Sequence, residues 1–397
     1  MLSEALDQET GVPGFAAQLS ASHPTLFSNV PVFVPSETLA EMVRFMTAVE
    51  AAAQLPGYRE AAMAYAPPAA SRDFGPVGAL MGYDFHVTPE GPRLIEVNTN
   101  AGGAFLNAAL ARAQRACCGD TLGTETEAAD GFAAKVAAMF REEWRRQRTT
   151  PGPTRIAIVD DAPEQQHLYP EFQLAKGLLE EHGLETVIAD PEELEPDGSG
   201  VSVRGRPVDM VYNRLVDFAL DEPRHAVLLA AYLGGGVVVT PNPHVHALFA
   251  DKRNMALLSD IAALKAWGLS PGDSEALERG VLKTVQVTAA NAEELWRRRR
   301  SLFFKPARGH GSKAAYRGDK LTHRVWAEIS TGDYVAQAYA APSTRDIAVG
   351  AERSELKVDI RLYTYAGSPL LAAARLYQGQ TTNMRTPGGG FAPVLGV

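Results

Sequence analysis

The hydrophobic pattern divides the chain into three stretches. In the first, apolar positions recur at helical spacing over residues 36–54 behind Ser36, which predicts an amphipathic helix. Gly82-Tyr83-Asp84-Phe85-His86-Val87 and Arg93-Leu94-Ile95-Glu96-Val97-Asn98 then read as two short strands, joined by a turn at Pro89-Glu90-Gly91-Pro92. Pro67-Pro68-Ala69-Ala70-Ser71 forms a loop leading into them. A small-residue helix is expected from Gly102-Gly103 to about 118, and another over 126–148, ending in a basic turn. Pro151-Gly152-Pro153 punctuates the chain and marks a domain boundary.

Beyond it the pattern alternates. Strands are expected at Arg155–Val159, Glu185–Ala189, 208–213 and 236–240, with helices at 167–182 and 221–233 between them. Such alternation predicts a parallel, doubly wound α/β domain over about 154–245. Its first strand runs into Asp160-Asp161-Ala162-Pro163 rather than G-x-G-x-x-G, which argues against a dinucleotide site there. From about 246 the pattern becomes α+β. A helix over 246–260 is expected to contain Asp251-Lys252-Arg253-Asn254, and a second helix covers 289–300. Strands follow at Leu302-Phe303-Phe304-Lys305-Pro306, 334–339, 357–365 and 369–377. No internal repeat or low-complexity tail is present.

Composition narrows the class. A chain of 397 residues can bury an ample core and has room for roughly two or three domains. The formal charge of −9 argues against a general binder of nucleic acid or anionic membrane. The only cysteines, Cys117 and Cys118, are adjacent in an Ala-rich helical pattern, which suits packed residues in a reducing compartment. No apolar run approaches the roughly 20 residues of a membrane span, and the acidic N-terminus has no signal-peptide pattern, so the expected location is cytoplasmic.

Candidate chemistry lies in four segments. The front hairpin can bring Asp84 near Glu96 and Asn98, and the latter two share a strand face at i and i+2. Two carboxylates and an amide oxygen suit Mg²⁺, with a phosphate completing the shell; a solvated acidic turn is the plainer alternative. Lys305 ends an apolar strand and precedes Gly309-His310-Gly311-Ser312, whose backbone can cradle phosphates, although Walker A spacing is absent. The alternating stretch 357–365 puts Lys357, Asp359 and Arg361 on one face, able to hold phosphate or carboxylate groups or simply to face solvent. Arg375 and the Gly-rich segment from Thr382-Asn383 to Gly388-Gly389-Gly390 add further donors.

Together these segments resemble the ATP-grasp superfamily of carboxylate–amine ligases. Asp251-Lys252 and Phe304-Lys305-Pro306 are similar to its two lysine elements, and Gly309-His310-Gly311-Ser312 to its small ATP loop. Gln337 stands in the hinge strand where many relatives have Glu; Asp359-Ile360-Arg361 and Asn383…Gly388-Gly389-Gly390 resemble the start of the C-terminal subdomain. The family's last element, Asp…Glu-x-Asn, appears here near the front, as Asp84…Glu96-Val97-Asn98. The resemblance therefore implies a circularly permuted ATP-grasp fold, glutathionylspermidine-synthetase-like, with a doubly wound α/β pre-ATP-grasp domain.

On that reading, residues 1–150 comprise N-terminal helices plus the permuted final segment, with a metal-binding hairpin at 80–100. Residues 151–245 are the pre-ATP-grasp domain, 246–345 the N-subdomain and 346–397 the start of the C-subdomain. The implied activity joins a carboxylate to an amine through an acylphosphate, with ATP and one or two Mg²⁺. Asp84, Glu96 and Asn98 are the implied metal ligands. Lys252, Lys305, Gly309, Gly311, Ser312, Gln337 and Lys357 are the implied nucleotide contacts. Arg361, Arg375 and Asn383 are the implied catalytic groups. Amino acids, peptides and polyamines all suit as substrates, and a homo-oligomer is compatible. A small-molecule kinase and a non-catalytic nucleotide binder are the other readings.

Overall fold

The computed structural model describes residues 2–28, 30–118, 131–309, 314–349 and 352–397. Gly311 and Ser312 fall outside them, as do the side chains of Cys117 and Cys118. After two short helices, Leu2–Thr10 and Phe15–Ser22, come strand β1 (Val32–Val34), the helix Ser36–Ala53 and the hairpin β2 (Met81–Thr88) and β3 (Gly91–Asn98). The helix expected at 36–54 is thus present, and each hairpin strand runs two residues longer than the alternation suggested. Two further helices, Ala104–Cys118 and Phe132–Gln147, complete this stretch.

The middle stretch holds β4 (Arg155–Val159), β5 (Glu185–Ala189), a small three-stranded sheet of β6 (Leu194–Asp197), β7 (Gly200–Val203) and β8 (Arg206–Val208), then β9 (Met210–Asn213) and β10 (Val238–Thr240). Strands β10-β9-β4-β5 form a parallel sheet in that order. The chain steps from β4 outward to β5, then returns across β4 to β9. Order reverses between β4 and β9, so the crevice at their C-terminal ends is a topological switch point. The sequence missed the β6–β8 sheet because its strands are only three or four residues long.

The third stretch supplies β11 (Thr284–Gln286), β12 (Leu302–Pro306), β13 (Tyr316–Arg317) and β14 (Tyr334–Ala338), an antiparallel sheet ordered β11-β14-β12-β13. The single helix expected over 246–260 is two, Pro243–Phe249 and Asn254–Leu258. Asp251, Lys252 and Arg253 occupy the turn between them, where Asp251 accepts from the backbone N–H of Arg253 and binds its guanidinium. A side chain that competes for nearby backbone donors stops a helix, and the apolar spacing alone does not reveal it.

Finally come β15 (Ser343–Val349), β16 (Glu352–Tyr365), β17 (Ser368–Tyr377) and β18 (Gly390–Gly396). These join the front of the chain in a seven-stranded sheet whose main path is β1-β18-β17-β16-β2-β3. Arg361 of β16 lies opposite Asp84 of β2, which lies opposite Glu96 of β3. The segment 390–396, unassigned from sequence, is an interior strand between β17 and β1, because its residues 391–395 are buried and Val32 pairs with Val394. One apolar core packs the sheet against Ser36–Ala53 through Phe45, Met46, Phe85 and Ile360, and a second packs its other face through Phe105, Phe140 and Tyr363.

Candidate active site

A cavity of about 550 Å³ opens where the seven-stranded sheet, the β11–β14 sheet and the C-terminal edge of the parallel sheet converge. Asp84, Glu96, Asn98, Lys252, Lys305, Gly309, Gln337, Lys357, Arg361 and Arg375 all line it. These come from segments far apart in sequence, and strand register sets Arg361, Asp84 and Glu96 in one row across the seven-stranded sheet.

Asp84 is 3 % exposed and sits at the centre. Arg361 grips it in bidentate fashion, Nε to Oδ1 at 2.6 Å and Nη2 to Oδ2 at 2.7 Å. Arg375 Nη2 adds a contact to Oδ2 at 2.9 Å and turns its Nε to Asp359 Oδ1 at 2.6 Å. Thr382 donates to the other Asp359 oxygen. Burial alone would raise the Asp84 pKa, but the two guanidiniums hold it well below the usual carboxylate range. Two buried cations and two buried anions thus form one compensated network, the condition under which burying charge is tolerable.

The second cluster depends on a β-bulge. Asp84 pairs with Glu96 but Phe85 pairs with Leu94, so Ile95 is an extra residue in β3. Its carbonyl leaves the ladder and receives Lys305 Nζ at 3.0 Å and Gln337 Nε2 at 3.2 Å. Lys305 also lies 3.6 Å from Glu96 Oε2. Burial and the neighbouring Lys252 pull the Lys305 pKa down against the pull of Glu96, while Lys305 and Lys252 outweigh burial and lower that of Glu96. Lys252 Nζ donates to the Gly309 carbonyl at 2.9 Å, tying the turn at 251–253 to the loop after β12.

The expected metal ligands divide. Asp84 Oδ2 receives Asn98 Nδ2 at 3.0 Å in addition to the guanidiniums, so the Asp84 carboxylate anchors arginines. Glu96 keeps 31 % of its side chain exposed, and Asn98, having turned its amide nitrogen to Asp84, has its oxygen free of hydrogen bonds among the described residues. Glu96 and Asn98 are hard oxygen donors on one strand face and fit a small divalent cation; Asp84 fits one only if it exchanges a guanidinium for the ion.

Two other expected groups stand apart. Asn383 does not line the cavity. Its Nδ2 donates to the Gln378 carbonyl and its Oδ1 accepts from the Arg385 N–H and the Thr386 hydroxyl, so its amide organises its own loop. Lys357 lines the cavity, but its ammonium rests on the Gly379 carbonyl.

Sequence reasoning missed the far wall. Asp160 and Arg214 follow the last residues of β4 and β9 and line the same cavity, with Asn100, Leu168 and the Phe218–His246 pair, which stacks at 3.7 Å. The switch-point rule applied to the alternating pattern would have pointed to both strand ends. Burial raises the Asp160 carboxyl to about 7 despite Arg214. Burial, Lys252 and Arg308 push His246 down to about 3, so its imidazole is neutral and acts as an aromatic wall. Behind them Glu171 receives the N–H groups of Gly103, Phe105 and Leu106, filling the N-terminus of the helix Ala104–Cys118.

This arrangement of sheets around a charged cleft is a fold found in other solved structures. Two solved structures make the likeness concrete. The glutathione synthetase-like effector GSS30 of Globodera pallida, in its apo form, aligns with 100 % of this chain and 97 % of its own, at 13 % identity and a TM-score of 0.62. A candidate gamma-glutamylcysteine synthetase from Methylobacillus flagellatus KT aligns over 90 % and 88 %, at 11 % identity and a TM-score of 0.51. No protein-family model matches the chain, and no curated protein does. Among the described residues, no helix is long and apolar enough to cross a membrane.

Proposed function

We propose that the protein is an ATP-dependent ligase that joins a carboxylate to an amine, acting on small molecules or peptides. One observation carries this reading. The front hairpin and the late strands β16 and β17 together aim Glu96, Asn98, Arg361 and Arg375 into the cavity that Lys305, Lys252 and Gln337 line from the other side. A set of anions and cations held this way suits phosphoryl transfer, where catalysis is mostly positioning and charge stabilisation.

Lys305 and Lys252 would neutralise the nucleotide phosphates, and Gln337 would face the adenine. Glu96 and Asn98 would hold Mg²⁺, whose contribution is to offset phosphate charge. Arg361 and Arg375, positioned by Asp84 and Asp359, would stabilise the γ-phosphoryl group as it passes to a substrate carboxylate. The balance of the reaction is conventional. The carboxylate oxygen attacks phosphorus, ADP leaves, an amine attacks the acylphosphate carbon and inorganic phosphate departs with formation of the amide.

The permuted order is part of the proposal: the hairpin at 80–100 serves as the final segment of the C-subdomain whose start is 346–397. The bounds 151–245 and 246–345 for the other two units, and a cytoplasmic setting, belong to it as well. The deciding experiment incubates the protein with Mg-ATP and an array of amino acids, peptides and polyamines, then identifies products by mass spectrometry. ADP, phosphate and a new amide are expected. ADP with a stable phosphorylated product would instead make it a kinase, and no nucleotide turnover would leave a binding protein.

A further inference from the structure

Resting on the ligase reading, we infer that the C-terminal edge of the parallel sheet is a subsite for a zwitterionic substrate, an amino acid or short peptide carrying a free carboxylate and a free ammonium. Arg214 would take the carboxylate and Asp160 the ammonium.

The groups concerned are buried yet unspent. Arg214 is 6 % exposed. Its Nη1 donates to the Tyr212 hydroxyl at 3.2 Å, but its Nε is buried without a partner, and no carboxylate pairs with it among the described residues. Its guanidinium carbon lies 5.3 Å from the Tyr212 ring centroid and 5.9 Å from that of Phe172. An unsatisfied buried N–H costs free energy unless a ligand completes it. Asn100 Oδ1 is the second orphan. The Asn100 amide nitrogen donates to the carbonyls of Arg214 and Leu215, at 2.7 and 3.1 Å, while the oxygen is buried without a donor. Asp160 is 8 % exposed and, among the described residues, receives only the N–H of Asp161, at 2.9 Å.

The surrounding charges are already matched. Asp161 pairs with Arg224 and His225, Asp190 with Arg224, and Asp217 with His225. Glu171, the other buried carboxylate near Arg214, is taken up by three backbone N–H groups, so among the described residues here Arg214 and Asp160 are left without an ion pair, one of each sign, at the crevice where a doubly wound sheet binds ligands. A polyamine would meet the buried Arg214 cation with like charge, and a simple carboxylic acid would leave Asp160 and Asn100 Oδ1 without a donor.

Gly102 connects this subsite to the phosphate end. Its carbonyl receives Arg361 Nη1 at 3.4 Å, and a Cβ on it would lie 3.3 Å from Arg214 Nη2. The two arginines thus flank one residue, close enough for a single small substrate to span them.

The test is calorimetric binding of the standard L-amino acids, and of dipeptides, to the full chain with ADP and Mg²⁺. Each is compared with its keto-acid analogue, which lacks the amine, its amide, which lacks the carboxylate, and spermidine. At least one amino acid or dipeptide should bind at least about tenfold more tightly than its analogues and spermidine. D160N and R214Q, with R214K as the charge-conserving control, should each lose about tenfold or more of that affinity, with ADP affinity unchanged. Parental amino-acid affinity in D160N and R214Q, or preference for spermidine, would overturn the subsite. Failure of the ligase reading shows separately, as absence of amide product when the amino acid still binds.

Discussion

Arg361 and Asp84 stand 277 positions apart in sequence and meet through two parallel N–H···O contacts of 2.6 and 2.7 Å. The pair is buried at both ends, so it is held by shape as well as by charge. Removing one partner leaves the other uncompensated in low dielectric, which typically costs about 3–5 kcal/mol. Asp84→Asn is expected to lower stability by that order and to abolish turnover. Urea unfolding of both proteins measures it. A variant as stable as the parent would show that Arg361 and Arg375 find other counter-ions.

Glu96→Gln should behave differently. Glu96 is part-exposed and, among the described residues, has a single ionic partner, Lys305 at 3.6 Å, so the fold should survive. Loss of the carboxylate should lower Mg-dependent turnover about hundredfold or more, by analogy with removal of a preorganised charge. Lys305→Ala should weaken ADP binding about tenfold to hundredfold, the range for a charge-assisted contact. Phosphate release and nucleotide titration separate the two; unchanged turnover in the first or unchanged affinity in the second would remove that residue from the site.

Acid should act through Asp84. Its folded pKa is depressed, so its contribution is present above the ordinary carboxylate range and is lost as pH falls through about 4 and below. The stability gap between the parent and Asp84→Asn should therefore close on acidification. A gap that stays constant down to about pH 3 would contradict the pairing.

Asp160 has the opposite sign. Its pKa is raised to about 7, so the carboxyl is neutral below that value and its ionisation costs stability as pH rises from about 4 toward 7. The ionised form, which holds an ammonium, prevails above about 7. Amino-acid affinity should climb between about pH 6 and 8 in the parent and lie flat in Asp160→Asn. Parallel profiles would show that Asp160 does not touch the substrate.

Gly102→Ala tests the passage between the two ends. A Cβ there would come within 2.4 Å of Leu168 Cδ1, a side-chain end able to shift, and 3.3 Å of Arg214 Nη2. The expected outcome is a weakened amino-acid affinity with ADP affinity unchanged. Equal loss of both would mean that the backbone under Arg361 has moved as well.

Much of this was readable from the chain because strands announce themselves by alternation. Lys357, Asp359 and Arg361 share a face as the period-two rule requires, and the hairpin of Asp84 and Glu96 follows from its turn. Register was not readable. That Asp84 lies opposite Arg361 depends on which strands pair, and a bulge at Ile95 changes the count within the hairpin. The expected Asp84 metal ligand follows from residue type, and its guanidinium partners from pairing that no local pattern encodes. Arg214 was missed for another reason: a lone arginine after a buried strand has no motif, only a place in the topology. Asn383 fitted its motif in type and spacing, but its loop turns the amide inward.

The seven-stranded sheet has a kinetic consequence. Its first strand, Val32–Val34, lies against its last, Gly390–Gly396, and the hairpin at 81–98 finds its partner only in 352–365. Contacts of such separation close late, since loop entropy must be spent before they form. During synthesis, Asp84 emerges long before either arginine that will neutralise it. A nascent chain interrupted before residue 352 carries Asp84 with neither Arg361 nor Arg375, so their buried network can form only once the sheet is knit from both ends.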